Sequence, residues 1–245
     1  MSITVPFESI IAKIEFPVEI NQFLRYNIII NTIITEIVRN FNMRMRKKKH
    51  GAERISACSE YFIPEGSVIS DFPIDLEIGC GKGSFVSGLS KRYPDRKFIA
   101  MERVSDVILL AAERIKSEEA KNVKFIIGDA RNLREYFPPS SVNRLYLNFS
   151  DPWPKKGYAK RRLTHKSFLE LYKEILVPGG EIVFKTDNIG LFEFSLEEFT
   201  AAGFKLRELT YDHHNSEYNE DNIVTEYEKN FVSQGKPICR LEASL

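Results

Sequence analysis

The amino-acid sequence predicts an α/β fold: a mostly parallel sheet with helices on both faces and an antiparallel pair of strands at one edge. Three observations carry this expectation. From residue 72 onward, short apolar runs alternate with amphipathic stretches, the pattern of a parallel sheet covered by helices. A glycine-rich turn directly follows the first apolar run. The last two strand-like runs, 204–211 and 230–242, have no long helical crossover between them, so they are expected to pair antiparallel.

In order, the strands are expected at 74–78, 98–102, 123–127, 142–149 and 181–185, followed by the two closing runs. A helix after the glycine turn carries Phe85, Val86 and Leu89 on one face. The helix at 104–119 places Val107, Ile108, Ala111 and Ile115 on another. A helix over 166–176 ends at Pro178-Gly179-Gly180, a stop signal, and a further helix covers 191–202. With 245 residues, 43% of them hydrophobic, the chain is long enough for one large core, and no internal repeat is visible. Residues 1–42, rich in Ile and Asn and lacking Gly, read as an N-terminal extension, either a short docked element or sequence upstream of a start at Met43 or Met45. Residues 43–71 read as a basic arm and 72–245 as the main domain.

Charge is balanced overall, at +1, but unevenly spread. Residues 43–54 and 155–166 each hold six Lys or Arg, against one acid and none, whereas 212–228 holds six acids and no Lys or Arg. The two basic runs suit a phosphate backbone, with Trp153 and Tyr158 as stacking surfaces. The three cysteines, Cys58, Cys80 and Cys239, are few, odd in number and widely spaced, which argues against a disulfide scaffold or a cysteine zinc site and for a reducing, cytoplasmic setting. No His, Cys or acid spacing suggests a metal, and the apolar run near residues 25–36 is far shorter than the ~20 residues a membrane span needs.

The chemistry concentrates at the strand ends. Asp75-Leu76-Glu77-Ile78-Gly79-Cys80-Gly81-Lys82-Gly83 joins the first strand to the first helix, where Gly79 and Gly81 let the backbone approach a nucleotide-type ligand. Glu102 ends the second strand, where a carboxylate can hold the two ribose hydroxyls of an adenosine. Both features would also fit a dinucleotide-binding dehydrogenase. Asp129, ending the third strand, is placed to accept from an adenine amino group, and the fourth strand runs into Asn148-Phe149-Ser150-Asp151-Pro152-Trp153-Pro154-Lys155-Lys156, a proline-stiffened loop that a dehydrogenase does not need.

These residues, together with Leu163-Thr164, Phe184-Lys185-Thr186-Asp187-Asn188, Gly190-Leu191-Phe192-Glu193 and Thr225-Glu226-Tyr227-Glu228, resemble the bacterial tRNA (guanine-N7)-methyltransferase family from about Met43 to the C-terminus. The resemblance implies a Rossmann-like class I methyltransferase with a seven-stranded sheet, S-adenosylmethionine as cofactor and tRNA as partner. It implies that Glu77, Gly79, Gly81, Glu102, Asp129 and Asp151 form the cofactor site, with Asp151 between cofactor and target base as the catalytic residue. It further implies that Lys155, Asp187, Thr225, Glu226, Tyr227 and Glu228 meet the guanine, and that Gly157, Tyr158, Ala159, Lys160, Arg161 and Arg162 touch RNA. Gly157-Tyr158 stands where the family usually has Arg-His. The competing expectations are a methyltransferase for another RNA and an RNA-binding module with an inactive cofactor site.

Overall fold

The structure, a computed structural model, describes residues 50–64, 66, 67, 69 and 73–245. The expected extension at 1–42 and the basic residues 43–49 lie outside the described residues. Seven strands form one sheet in the order β3-β2-β1-β4-β5-β7-β6. They are β1 (Ile74–Ile78), β2 (Phe98–Glu102), β3 (Val123–Ile127), β4 (Val142–Asn148), β5 (Leu176–Thr186), β6 (Lys205–Thr210) and β7 (Cys239–Ser244). β1 to β5 pair in parallel, while β7 runs antiparallel to both β5 and β6.

Seven α-helices accompany the strands among the described residues: α1 (Gly51–Ala57), α2 (Ser84–Arg92), α3 (Ser105–Ser117), α4 (Leu133–Tyr136), α5 (Lys166–Ile175), α6 (Ile189–Ala201) and α7 (Glu226–Ser233). Strand side chains alternate between the sheet's faces, so each face acquires its own core. Leu76, Ile78, Leu145, Leu147, Ile182 and Phe184 pack with Phe168, Tyr172, Phe192 and Phe199 of α5 and α6. On the other face Phe98, Ala100, Phe125, Tyr146 and Val183 meet Phe85, Val86, Ile108 and Ile115 of α2 and α3. Every residue of β1 is buried, as a central parallel strand requires.

Two expectations need correction. Residues 230–242 are not one strand: α7 occupies Glu226–Ser233 and only Cys239–Ser244 is extended. The cause is a capping box, in which Thr225 Oγ1 accepts from the Glu228 amide and the Glu228 carboxylate accepts from the Thr225 amide, so that a helix runs into the segment whose composition predicts a strand. Pro178-Gly179-Gly180 does end α5, but within β5 rather than before it: Leu176 already pairs with Val142, and the chain bulges before Glu181 pairs with Arg144.

Gly83 caps α2 at φ 74°, and a Cβ there would lie 2.6 Å from Ala111 Cβ and 3.0 Å from its Cα. Helices α2 and α3 therefore approach through this glycine. Gly83→Ala combines a left-handed alanine with overpacking and is expected to cost about 2–4 kcal/mol, read as a lowered denaturant midpoint at unchanged slope.

Candidate active site

The chain leaves β1 toward β2 on one side and returns from β3 to β4 on the other, so a crevice opens between the carboxyl ends of β1 and β4, the place where open α/β sheets bind ligands. The glycine turn closes one side of it. Gly79 N–H and Cys80 N–H donate to the Met101 carbonyl at 2.8 and 3.1 Å, tying the turn to the end of β2. A Cβ on Gly79 or on Gly81 would meet no heavy atom within 4 Å, so the backbone there faces open space.

Glu77 lies beneath the turn, 3% exposed, on the face of β1 that looks toward α2. Its Oε1 accepts from Asn148 Nδ2 across the crevice at 3.4 Å, while Oε2 is buried with no hydrogen-bond partner. Burial pushes the carboxyl up to about 7, against the hydrogen bond from Asn148 and the charge of Lys185. An unsatisfied carboxylate oxygen at the floor of an open turn fits a ligand with donors or positive charge. Because the folded pKa lies above the ordinary 4.5, folding stability is expected to fall as pH rises from about 4.5 through about 7, by up to ~3 kcal/mol. Glu77→Gln should flatten this decline, and thermal melts of the ligand-free protein at pH 5 and pH 8 read it directly. An equal decline in the variant would show that Glu77 is not its source.

Glu102, at the end of β2, is held by two backbone donors: Val104 N–H at 3.0 Å to Oε1 and Gly81 N–H at 3.4 Å to Oε2. Asp129 follows β3 and caps a short 3-10 helix, Ala130–Asn132. Arg131 binds its carboxylate through Nε at 2.9 Å and Nη2 at 2.8 Å, and this holds Asp129 below the usual carboxylate range. With strands about 4.8 Å apart, the row from Asp129 through Glu102 and the turn to the end of β4 spans about 14 Å, the length of an extended nucleoside with a side chain. Sequence reasoning expected these four groups together, and they line one edge of the sheet.

Phe149 and Trp153 lie in the loop after β4 at φ 52° and 41°, a conformation uncommon for bulky side chains. Asp151, between them, is exposed, with no hydrogen-bond or ion-pair partner among the described residues. Arg162 braces the loop, donating to the carbonyls of Pro152 at 3.0 Å and Trp153 at 3.1 Å while lying over Phe194. Arg161 lies over both Trp153 (4.9 Å) and Tyr158 (4.7 Å), so Tyr158 forms one wall of a cation–π pair. Lys155, Lys156, Gly157 and Lys160 are exposed around it, and Ala159 is half-buried. Of the expected RNA-contacting segment, then, Arg162 is engaged internally, Arg161 stacks on Trp153 and Tyr158, and Lys160 presents its charge to solvent.

Asp187 follows β5, half-buried, and burial raises its carboxyl despite the nearby Lys236. The Thr225-to-Glu228 segment divides. Tyr227 is 59% exposed, and Glu226 is gripped by Lys82 at 3.8 Å and by Arg114, with its amide donating to Ser84 Oγ. Thr225 and Glu228 are buried. Glu228, fully buried, accepts from Lys185 Nζ at 2.9 Å and from Asn222 Nδ2 at 2.6 Å, and His214 Nε2 lies 3.0 Å away. Sequence reasoning passed over Lys185 as a functional group, although a lysine inside a buried strand signals a partner. The acid-rich stretch also finds an explanation: Glu226, Glu228 and Asp221 bind the chain's own Lys82, Arg114, Lys185 and Arg92.

The chain matches a family model described as a putative methyltransferase over residues 71–241. It is 51% identical over 172 residues to a tRNA (guanine-N(7)-)-methyltransferase of Brevibacillus brevis, covering 70% of this chain and 80% of that protein. A protein of the same name from Clostridioides difficile is 43% identical, covering 82% of this chain and 98% of that one. The chain belongs to the tRNA (guanine-N(7)-)-methyltransferase family. Among solved structures, the 16S rRNA methyltransferase KamB superposes with a TM-score of 0.54 at 15% identity, covering 83% of this chain and 96% of that one, which shows the shared fold. For a member of this family, the unpartnered Glu77 oxygen and the open glycine turn occupy the position where a nucleoside cofactor fits the residues present. Among the described residues no group of His, Cys, Asp and Glu is placed to hold a metal, and no helix is long and apolar enough to cross a membrane.

Proposed function

We propose that this protein transfers a methyl group from S-adenosylmethionine to N7 of the variable-loop guanosine of tRNA, forming 7-methylguanosine, in the reducing cytoplasm that its three unpaired cysteines suit. The observation that carries the reading is the crevice at the β1–β4 switch point, where an open glycine turn lies over a buried carboxylate with a free acceptor oxygen. The names of relatives covered over almost their whole length supply the substrate.

Glu77, Glu102 and Asp129 would hold the cofactor, with Glu102 already oriented by Gly81 and Val104 toward ribose hydroxyls. When bound, the cofactor would supply an electrophilic sulfonium methyl to the lone pair of guanine N7, with the C–S bonding pair going to sulfur and the positive charge to the purine. N7 carries a lone pair and no proton, so the protein's task is alignment and tolerance of the emerging cation rather than base catalysis. Asp187, at the end of β5, can accept the N1–H and N2–H donors of guanine, which discriminates against a base lacking them. Asp151, exposed between β1 and β5 and unpaired among the described residues, is free to orient the base and face the growing charge. Lys155, Lys156 and Lys160 offer charge to phosphates.

The test is methyl transfer from labelled cofactor to a tRNA transcript with guanosine in the variable loop, beside one with adenosine there, followed by nucleoside analysis. 7-Methylguanosine in the first transcript alone is expected. Label in neither, with cofactor binding demonstrated by calorimetry, would redirect the reading to another RNA.

A further inference from the structure

Three aromatic rings meet beside the crevice without being needed to close a core. Phe149, Tyr227 and Phe231 have centroids 6.4, 6.2 and 6.4 Å apart, with planes inclined by only 16° to 31°. Three nearly equidistant rings cannot form a single column, so they sit offset against one another as a shared aromatic surface. Phe149 adopts the left-handed conformation two residues before Asp151, and Tyr227 follows Glu226, which is clamped to Lys82 and Arg114 at the glycine turn. Lys236 lies 5.1 Å over the Phe231 ring and acts on Asp187, while Tyr227 remains 59% exposed. The surface is thus bordered by the glycine turn, the Asp151 loop and Asp187.

We propose that Phe149, Tyr227 and Phe231 form the platform on which the target purine stacks, and that this platform prefers the purine in its methylated, cationic form. The proposal rests on the reading of the chain as a guanine-N7 methyltransferase. Every base has a π-face that stacks on aromatic side chains, and a ring carrying positive charge gains in addition from the negative faces of Tyr and Phe. Methylation at N7 creates such a charge without adding a hydrogen-bond donor, so aromatic faces are a means of sensing it. The same contact helps the reaction, because the charge develops as the methyl group is transferred. It also implies that the product leaves more slowly than the substrate would.

The experiment uses the full chain with S-adenosylhomocysteine and measures binding of two transcripts: unmodified tRNA and the same tRNA carrying 7-methylguanosine. Wild type is expected to hold the methylated transcript at least about threefold more tightly. Tyr227→Leu, a change at an exposed side chain that leaves the fold intact, should bring the ratio close to one and raise KM for tRNA without altering cofactor affinity. Tyr227→Trp should keep the ratio, and Phe149→Leu should lower it. If Tyr227→Leu and Phe149→Leu keep the wild-type ratio and KM, the rings are packing only and the platform is refuted. A wild-type protein that methylates the transcript but binds both forms equally also refutes it. A wild-type protein that binds cofactor but leaves the transcript unmethylated overturns the functional reading, and the platform with it.

Discussion

Lys185→Met is expected to destabilise the protein by about 3–5 kcal/mol, the cost of leaving one half of a buried ion pair alone. Lys185 is 2% exposed, and its Nζ donates to Glu228 (2.9 Å), Asn222 Oδ1 (3.0 Å) and the Ile223 carbonyl (3.2 Å) and lies 5.1 Å from the Phe85 ring centroid. Burial pulls the ammonium below the usual lysine range. Burial pushes Glu228 the other way, but the charge and hydrogen bond of Lys185 together with the hydrogen bonds from Asn222 and the Thr225 amide outweigh it and hold the carboxyl below its usual range. Removing the lysine leaves a carboxylate with no exposed surface, so Glu228 must either take up a proton or drag its helix outward. For a chain of this size the loss corresponds to a fall in Tm of about 10 °C. The double variant Lys185→Met/Glu228→Leu should recover most of it, short by about 1 kcal/mol because the Thr225 amide loses its capping carboxylate. Thermal melts of both variants and of Glu228→Leu alone complete the cycle. A single variant as stable as wild type would show that the pair does not anchor α7.

Asp151→Ala is expected to lower turnover by about 10²- to 10³-fold while leaving cofactor affinity within about twofold, since the group lost acts on charge that appears only during transfer. Its exposure and lack of partners make the substitution structurally mild, so a single-turnover rate and a calorimetric cofactor Kd on the same preparation separate chemistry from folding. Turnover near that of wild type would remove Asp151 from the mechanism and leave alignment to Asp187 and the aromatic rings.

The parallel strands were legible because a central strand buried on both faces reads as an unbroken apolar run, as Ile74–Ile78 does, and because glycines and acids fall at the ends of such runs. The final strands do pair antiparallel, but not for the reason the sequence offers, since helix α7 lies between β6 and β7. Helix α7 is not legible in the same way: Phe231 and Val232 favour a strand, and the competing signal, Thr225 with Glu228 three residues on, coincides with the motif that the resemblance assigns to the substrate. Of the site, the cradle could be read locally, because Glu77, Gly79 and Gly81 are neighbours in sequence. Contacts such as Phe149 with Tyr227, or Lys185 with Glu228, join residues far apart in the chain, and no local pattern announces them. Arg162 carries a second role that no local pattern announces: a basic run suggests RNA, and its guanidinium also donates to the carbonyls of Pro152 and Trp153.

The position of β7 has a consequence for how the molecule is made. Strand β7, Cys239–Ser244, made after β5 and β6, is inserted between them, pairing with both. Until those residues emerge, Ile182 and Phe184 on β5 have an open strand edge beside them, and β6 has no partner in the sheet. Synthesis from the N-terminus can therefore build the five strands from β3 to β5 early, but the Asp187 side of the crevice is braced only once β7 has been made. A nascent chain that still lacks β7 exposes an aggregation-prone edge, and a stop before Cys239 would release a protein that has its glycine turn and Glu77 but not the sheet edge behind Asp187.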